Sequence, residues 1–323
     1  MPIKERNLVE DLQNKINLYV PKGTTWYVDG TAGSNGYTGK SWAKAFLTIQ
    51  KAINTAAIGD TIYVAAKTMA ATDTDPGSYT ENLSVTKPQL AIIGAVRSRT
   101  QGGLPQLKVG ATTTSPILTI AAPGVRIANL GFNGSGATGG GILLDDDGGS
   151  TKAAFASGIF DCHFKNCKGS SATDSRTGGG IQWAATGGAW QVHIARNRFY
   201  KNVGDIVLKG TSQSVPQDVV IEHNSFGGPA TSVDCHIYLA GGSGMSAVSV
   251  VDNEFSNVLP ALASGSVLRY ADLTGCIGSF ARNYFAGVYT TTGFGAAKAA
   301  AKIPTAVGLA HNYSDGGLIV REA

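Results

Sequence analysis

The sequence predicts an all-β fold, a right-handed single-stranded parallel β-helix in which the chain winds as a solenoid of stacked coils. Three observations predict it: a composition rich in glycine and poor in charge, a pattern repeated along the chain, and columns of like residues at fixed slots of that pattern.

Glycine accounts for 43 of the 323 residues, and charged residues are only 15%, against about 25% in an average domain. Such a composition suits short strands joined by many turns. It does not suit long helices, which want Glu, Lys, Leu and Arg. Hydrophobic residues are 43%, ample for a continuous core, and a solenoid of this length is routinely one domain.

The segment Val219-Val220-Ile221-Glu222-His223-Asn224-Ser225-Phe226 reads V-x-I-x-x-N-x-F. Aligned on its Asn slot it recurs at Leu130, Cys162, Asn197, Asn224, Asn253, Asn283 and Asn312, a step of about 30 residues, as in a solenoid. Three residues earlier stand Ile127, Ile159, Ile194, Ile221, Val250, Phe280 and Leu309; two residues later stand Phe132, Phe164, Phe199, Phe226, Phe255, Phe285 and Ser314. The spacing of two from V to I is strand periodicity with both side chains inward. The gap of three before Asn breaks that alternation, so the chain bends there. A second strand follows at 141–144, 180–183, 205–208 and 236–239, and a third, less regular one is expected where the slots vary most. Stacked coils place equivalent residues about 4.8 Å apart. The Phe column then fills the core, and Asn197, Asn224, Asn253, Asn283 and Asn312 form a structural ladder of side-chain amides at the bend.

Residues 25–323 form the β-helix domain, opened by a capping helix at about 46–57. Phe46, Ile49, Ile53, Ala56 and Ala57 share one helical face, and Gly59 can end the helix in the left-handed conformation. Residues 1–24 read as an amphipathic anchoring segment. Its stripe of Leu8, Val9, Leu12 and Ile16 is too short to be a stable helix alone and needs a partner surface. At the other end, the chain stops just after Leu318-Ile319-Val320. The last coil is expected to lie uncovered, with sister chains supplying the cover.

Net charge is a mild +4, without the basic clusters that mark nucleic-acid binding. No segment is apolar and long enough to span a membrane. Residues 1–7 lack the apolar core of a signal peptide. Cys162, Cys167, Cys235 and Cys276 contain no CxxC pair; they read as reduced thiols packed in the core. No metal or cofactor is expected.

Polysaccharide hydrolysis needs two carboxylates about 5–10 Å apart; elimination needs a base and a group that neutralises a uronate. The acidic run Asp145-Asp146-Asp147, with Asp174 on the next coil, supplies Asp145, Asp147 and Asp174 as candidates for catalysis or calcium; a solvated turn is the alternative. A polar column of Asn129, Asp161, Arg196, His223, Asp252, Arg282 and His311 precedes the Asn slot. Its mixed signs let adjacent rungs pair, and His223 with Asp252 is its candidate acid–base couple. Trp190, Tyr200 and Tyr289 sit near coil edges, as sugar-stacking or subunit-contact residues. Trp183 occupies an inward slot.

Trp26-Tyr27-Val28-Asp29-Gly30, Gly33-Ser34-Asn35-Gly36, Phe46-Leu47-Thr48-Ile49-Gln50-Lys51-Ala52-Ile53, Gly59-Asp60-Thr61-Ile62-Tyr63-Val64, Tyr79-Thr80-Glu81-Asn82-Leu83 and Leu90-Ala91-Ile92-Ile93-Gly94 resemble the opening of pectate-lyase-like parallel β-helix proteins. The resemblance extends over about residues 24–320. It speaks to fold rather than function, because this fold hosts many activities. The short segment leading straight into the β-helix is most similar to a phage tailspike or virion protein. That implies a bacteriophage structural protein: a capsid decoration, fibre or spike, non-catalytic, assembled in the host cytoplasm and carried on the virion. The partners implied are other virion proteins through residues 1–20, a bacterial surface polysaccharide, and sister chains in a homotrimer, with no nucleic acid and no membrane. The alternatives are a tailspike depolymerase and a secreted, extracellular carbohydrate-active enzyme.

Overall fold

The computed structural model describes residues 23–68, 77–96, 103–135, 137–145, 154–183, 190–209, 217–227, 235–239, 245–257, 269–287, 303–314 and 317–319. These form a right-handed parallel β-helix whose described strands make sheets of ten, ten and seven strands running along the solenoid. One coil shows the plan. Arg126–Ala128 lies in the first sheet, Gly131–Asn133 in the second and Ile142–Leu144 in the third. Equivalent strands pair in parallel from coil to coil.

Each aligned slot forms a column. Ile127, Ile159, Ile194, Ile221, Val250, Phe280 and Leu309 are in register in the first sheet. Phe132, Phe164, Phe199, Phe226, Phe255 and Phe285 are in register in the second. Their rings stack at centroid spacings of 4.9, 5.0, 5.0, 4.8 and 4.9 Å. All six are buried, so the ladder supplies both apolar burial and ring-to-ring contact. Trp183 is buried as expected, and all four cysteines are buried free thiols. Burial pushes the thiols of Cys162, Cys167 and Cys276 up to about 12, which leaves them unreactive.

The bend has a sharp local cause. Asn129, Asp161, Arg196, His223, Asp252, Arg282 and His311, each just before the Asn slot, have φ between 51 and 57. One left-handed residue turns the strand through the corner and projects its side chain outward. The following Asn then repairs the backbone. Asn224 Oδ1 accepts from the backbone N–H (2.9 Å) and Nδ2 (3.1 Å) of Asn197, and Asn224 Nδ2 donates to the carbonyl of Ile194 (2.9 Å). The expected strand division is corrected by this corner. The V-x-I and N-x-F halves belong to two separate sheets, and the 141–144 type segments make the third.

The helix is shorter than the sequence pattern implied, at Ile49–Thr55. Phe46 is not helical: its backbone bridges Val28 and bonds Tyr27 and Asp29 at the open edge of the first sheet. Thr48 caps the N-terminus, and the Glu81 carboxylate accepts the backbone N–H groups of Ile49 and Gln50, each at 3.0 Å. Lys87 Nζ donates to the carbonyls of Ile53 (3.0 Å), Asn54 (2.8 Å) and Ala56 (2.5 Å) at the other end. Gly59 does adopt a left-handed φ of 81, but beyond the Ala56 C-cap. Ile49, Ala52 and Ile53 are buried against the first coils.

The expected bare end is also corrected in part. Gly317–Ile319 turns back and pairs antiparallel with Asn312–Ser314, Tyr313 opposite Leu318. That hairpin covers the final edge of the second sheet. The stripe at residues 8–16 lies outside the described residues. Among the described residues no helix is long and apolar enough to cross a membrane.

Candidate functional site

Side chains on either side of each inward Ile point outward by strand alternation. On the first sheet this gives two outward columns. One carries Arg126, Gly158, His193 and Val220; the other carries Ala128, Phe160, Ala195 and Glu222. Between them opens a cleft of about 430 Å³, bordered also by Ile93 and by Asp161 and Arg196 from the corner column.

Phe160 forms the floor. The Arg126 and Arg196 guanidinium carbons lie 5.3 and 5.5 Å from its ring centre, and His193 meets it edge-on at 5.1 Å and 86°. His193 Nε2 stands 2.8 Å from Glu222 Oε1, with both side chains partly exposed. Arg196 grips Asp161 with both arms, Nε to Oδ1 at 3.0 Å and Nη2 to Oδ2 at 2.9 Å. The cleft therefore presents an oriented imidazole and a fixed guanidinium–carboxylate pair above a mostly buried aromatic floor. These groups match ring faces and hydroxyl or carboxylate edges of a polar ligand.

The sequence candidates scatter. Asp145 does not line this cleft; its backbone is held by the Ile120 carbonyl and the Ala154 N–H. Asp146 and Asp147 lie outside the described residues. Asp174 caps the turn Ser175–Thr177 and binds Arg176 at 2.7 and 2.9 Å, which neutralises it away from the cleft. His223 is exposed on the corner column. Its neighbour Asp252 is gripped by Arg282 at 2.8 and 2.6 Å. The Arg282 hydrogen bonds and charge hold the Asp252 carboxyl below its ordinary value, which suits an ion pair rather than a proton donor near neutral pH. The expected pairing along this column is thus present at Asp161–Arg196 and Asp252–Arg282. Trp190 is exposed ahead of the His193–Ala195 strand, its carbonyl accepting from the Ala156 N–H, and it does not line the cleft. Tyr200 projects from the second sheet beside Arg198 and Lys201, not into the cleft. Tyr289 lies outside the described residues.

Arg126, Phe160, His193 and Glu222 were missed by the motif reading. Their signal was available: they sit one position either side of the Ile slot, the outward positions of an established strand. Another buried cluster was missed as well. His236 Nδ1 lies 2.5 Å from Asp205 Oδ2, and Asp205 Oδ1 accepts from Asn202 Nδ2 at 2.8 Å. It sits inside the core against Phe226 and Phe255, and its place is structural.

Comparison with known proteins fixes the fold. Two crystal structures of the pectin methylesterase from Aspergillus niger, in penultimately deglycosylated and deglycosylated forms, each match with a TM-score of 0.52 and 12% identity. They cover 92% of this chain and 87% of theirs. Pectin methylesterase PemA from Erwinia chrysanthemi matches with a TM-score of 0.43 and 12% identity, over 92% and 91%. No protein-family model matches the chain, and no curated protein matches it by sequence. The likeness to the Aspergillus niger structures is one of fold, the right-handed parallel β-helix.

Proposed function

We propose that this chain binds a polysaccharide through the outer face of its first sheet. One observation carries the reading: the cleft in which Phe160 offers an aromatic floor to a rim of Arg126, Asp161, His193, Arg196 and Glu222. Sugars are recognised by this combination, a ring face for C–H surfaces and fixed polar groups for hydroxyls. Pectin methylesterases, on the same fold, are named for a polysaccharide. Titration calorimetry against bacterial capsules, lipopolysaccharide O-chains and polygalacturonate tests it. Binding is expected to one of these, weakened about tenfold or more by Phe160→Ala and by His193→Ala. Binding to none, or binding untouched by both substitutions, overturns the reading.

Cleavage is the second reading, and the His193–Glu222 contact favours it. A carboxylate that orients an imidazole at a cleft floor is a recurrent way to place a proton acceptor. Release of new reducing ends or unsaturated products from the bound polysaccharide, lost in His193→Ala and in Glu222→Gln, would establish it. Binding without such release leaves a non-catalytic receptor-type protein. The setting we propose for it is the surface of a phage particle, with residues 1–24, whose apolar stripe of Leu8, Val9, Leu12 and Ile16 needs a partner surface, as the attachment segment and sister chains as partners. Light scattering with and without residues 1–20 tests the self-association.

A further inference from the structure

We propose a second, aromatic subsite three to four coils from Phe160, toward the N-terminal end of the same sheet face, so that the ligand is a long glycan laid along the solenoid axis. The inference rests on the cleft being a glycan site. It starts from an outward column that does not stop at the cleft. Tyr27, Tyr63, Ile93, Ala128, Phe160, Ala195 and Glu222 stand in unbroken parallel register on consecutive strands. At its far end Tyr27 and Tyr63 lie with ring centres 6.2 Å apart. Trp42 closes edge-on against Tyr27 at 4.8 Å and 66°, and it remains 45% exposed.

This cluster is built, not incidental. The segment that carries Trp42 folds back on the open edge of the first sheet: Tyr27 N–H donates to Gly39 (2.9 Å) and Phe46 N–H donates to Tyr27 (2.9 Å). Gly39 has φ 70, and a Cβ there would sit 2.2 Å from the Phe46 ring. Only glycine lets the segment approach this closely. The sheet edge is thereby protected and an indole is presented on the same face as the cleft.

Between Tyr63 and Phe160 the column carries Ile93 and Ala128, which line the cleft themselves, so the tyrosine shelf continues the cleft floor one rung beyond Ile93. Tyr27 to Glu222 is six rungs, about 29 Å at 4.8 Å per rung, a span for about six residues of an extended sugar chain. A small sugar needs the cleft alone. An aromatic shelf in line with it, at this distance, serves a polymer. Rings at the shelf add stacking without adding charge, so the shelf contributes affinity and direction while the charged cleft sets which sugar is read.

Calorimetry with a size ladder tests this. The capsule, O-chain and polygalacturonate preparations are partially hydrolysed and fractionated from disaccharides to octasaccharides, and each fraction is titrated into wild-type protein, Trp42→Ala and Trp42→Phe. Affinity is expected to rise with length up to about six residues. Trp42→Ala should weaken the longest fractions about tenfold and leave trisaccharides within about twofold, with Trp42→Phe restoring most of the loss. Wild-type tryptophan fluorescence should respond to octasaccharides and not to trisaccharides. Equal affinity for short and long fractions, or no effect of Trp42→Ala on the long ones, overturns this inference while leaving the cleft reading intact. Binding of no fraction overturns both.

Discussion

Asn224 and Asn253 are joined twice across one rung of the solenoid: Asn253 Oδ1 accepts from both the backbone N–H and the Nδ2 of Asn224, each at 3.0 Å. Asn253 Nδ2 in turn donates to the carbonyls of Ile221 and Val251 and to Asn283 Oδ1. Both residues are buried. Asn253→Ala therefore leaves several polar groups buried and unpaired, and should cost at least about 3 kcal/mol in chemical denaturation. Asn253→Asp keeps the shape but sets a buried carboxylate against an amide oxygen. It should be at least as damaging as alanine near neutral pH.

Phe255 is sandwiched between Phe226 and Phe285 at 4.8 and 4.9 Å. Phe255→Ala should cost about 3–5 kcal/mol, and Phe255→Leu less. Because each coil contacts chiefly its neighbours, hydrogen exchange should show the loosening concentrated in the adjacent coils.

The N-terminal coil is tied by one carboxylate. Asp60 accepts from the Thr24 N–H, the Trp26 indole and the Ala57 N–H, each at 2.7 Å. Burial alone would raise its carboxyl. The hydrogen bonds from Trp26, Ala57 and Thr24 and the Lys40 charge outweigh that and hold it below the ordinary carboxylate value. A depressed carboxylate contributes stability that is present above its unfolded value and is lost as pH falls through the folded one. Acid titration followed by tryptophan fluorescence should show the first coil loosening only as pH falls below the ordinary carboxylate range. Asp60→Asn should be less stable at neutral pH and should lack that acid step.

Glu81 and Lys87 hold the two ends of the helix Ile49–Thr55. Seven residues do not make a stable helix alone. Glu81→Ala frees two helix-terminal N–H groups and should cost about 1–2 kcal/mol, while Glu81→Gln should cost less.

The fold was legible because its signals repeat. A single Phe at position 255 says little, but Phe at the same slot of successive coils defines a column, and the three-residue gap before Asn locates the corner. The division of that motif between two sheets was not legible, since only the left-handed φ at residues such as His223 separates a kinked strand from two strands. Phe46 carried helical periodicity and was claimed instead by the sheet edge, a non-local pairing that a short window does not contain. The candidate site was the least legible part. His193 and Glu222 come from different coils and occupy outward slots that vary from coil to coil. Only stacking in register brings them within 2.8 Å. The acidic run at 145–147 drew attention because it is contiguous in sequence, yet Asp145 does not line the cleft.

A crystal structure of the protein soaked with the oligosaccharide it binds best tests the central claim most directly. The account predicts a sugar chain on the outer face of the first sheet, one ring over Phe160 with polar contacts to His193, Glu222 or the Asp161–Arg196 pair, and the chain running along the solenoid axis toward Tyr63. A sugar seated on the second or third sheet, with the Phe160 cleft left empty, would contradict it.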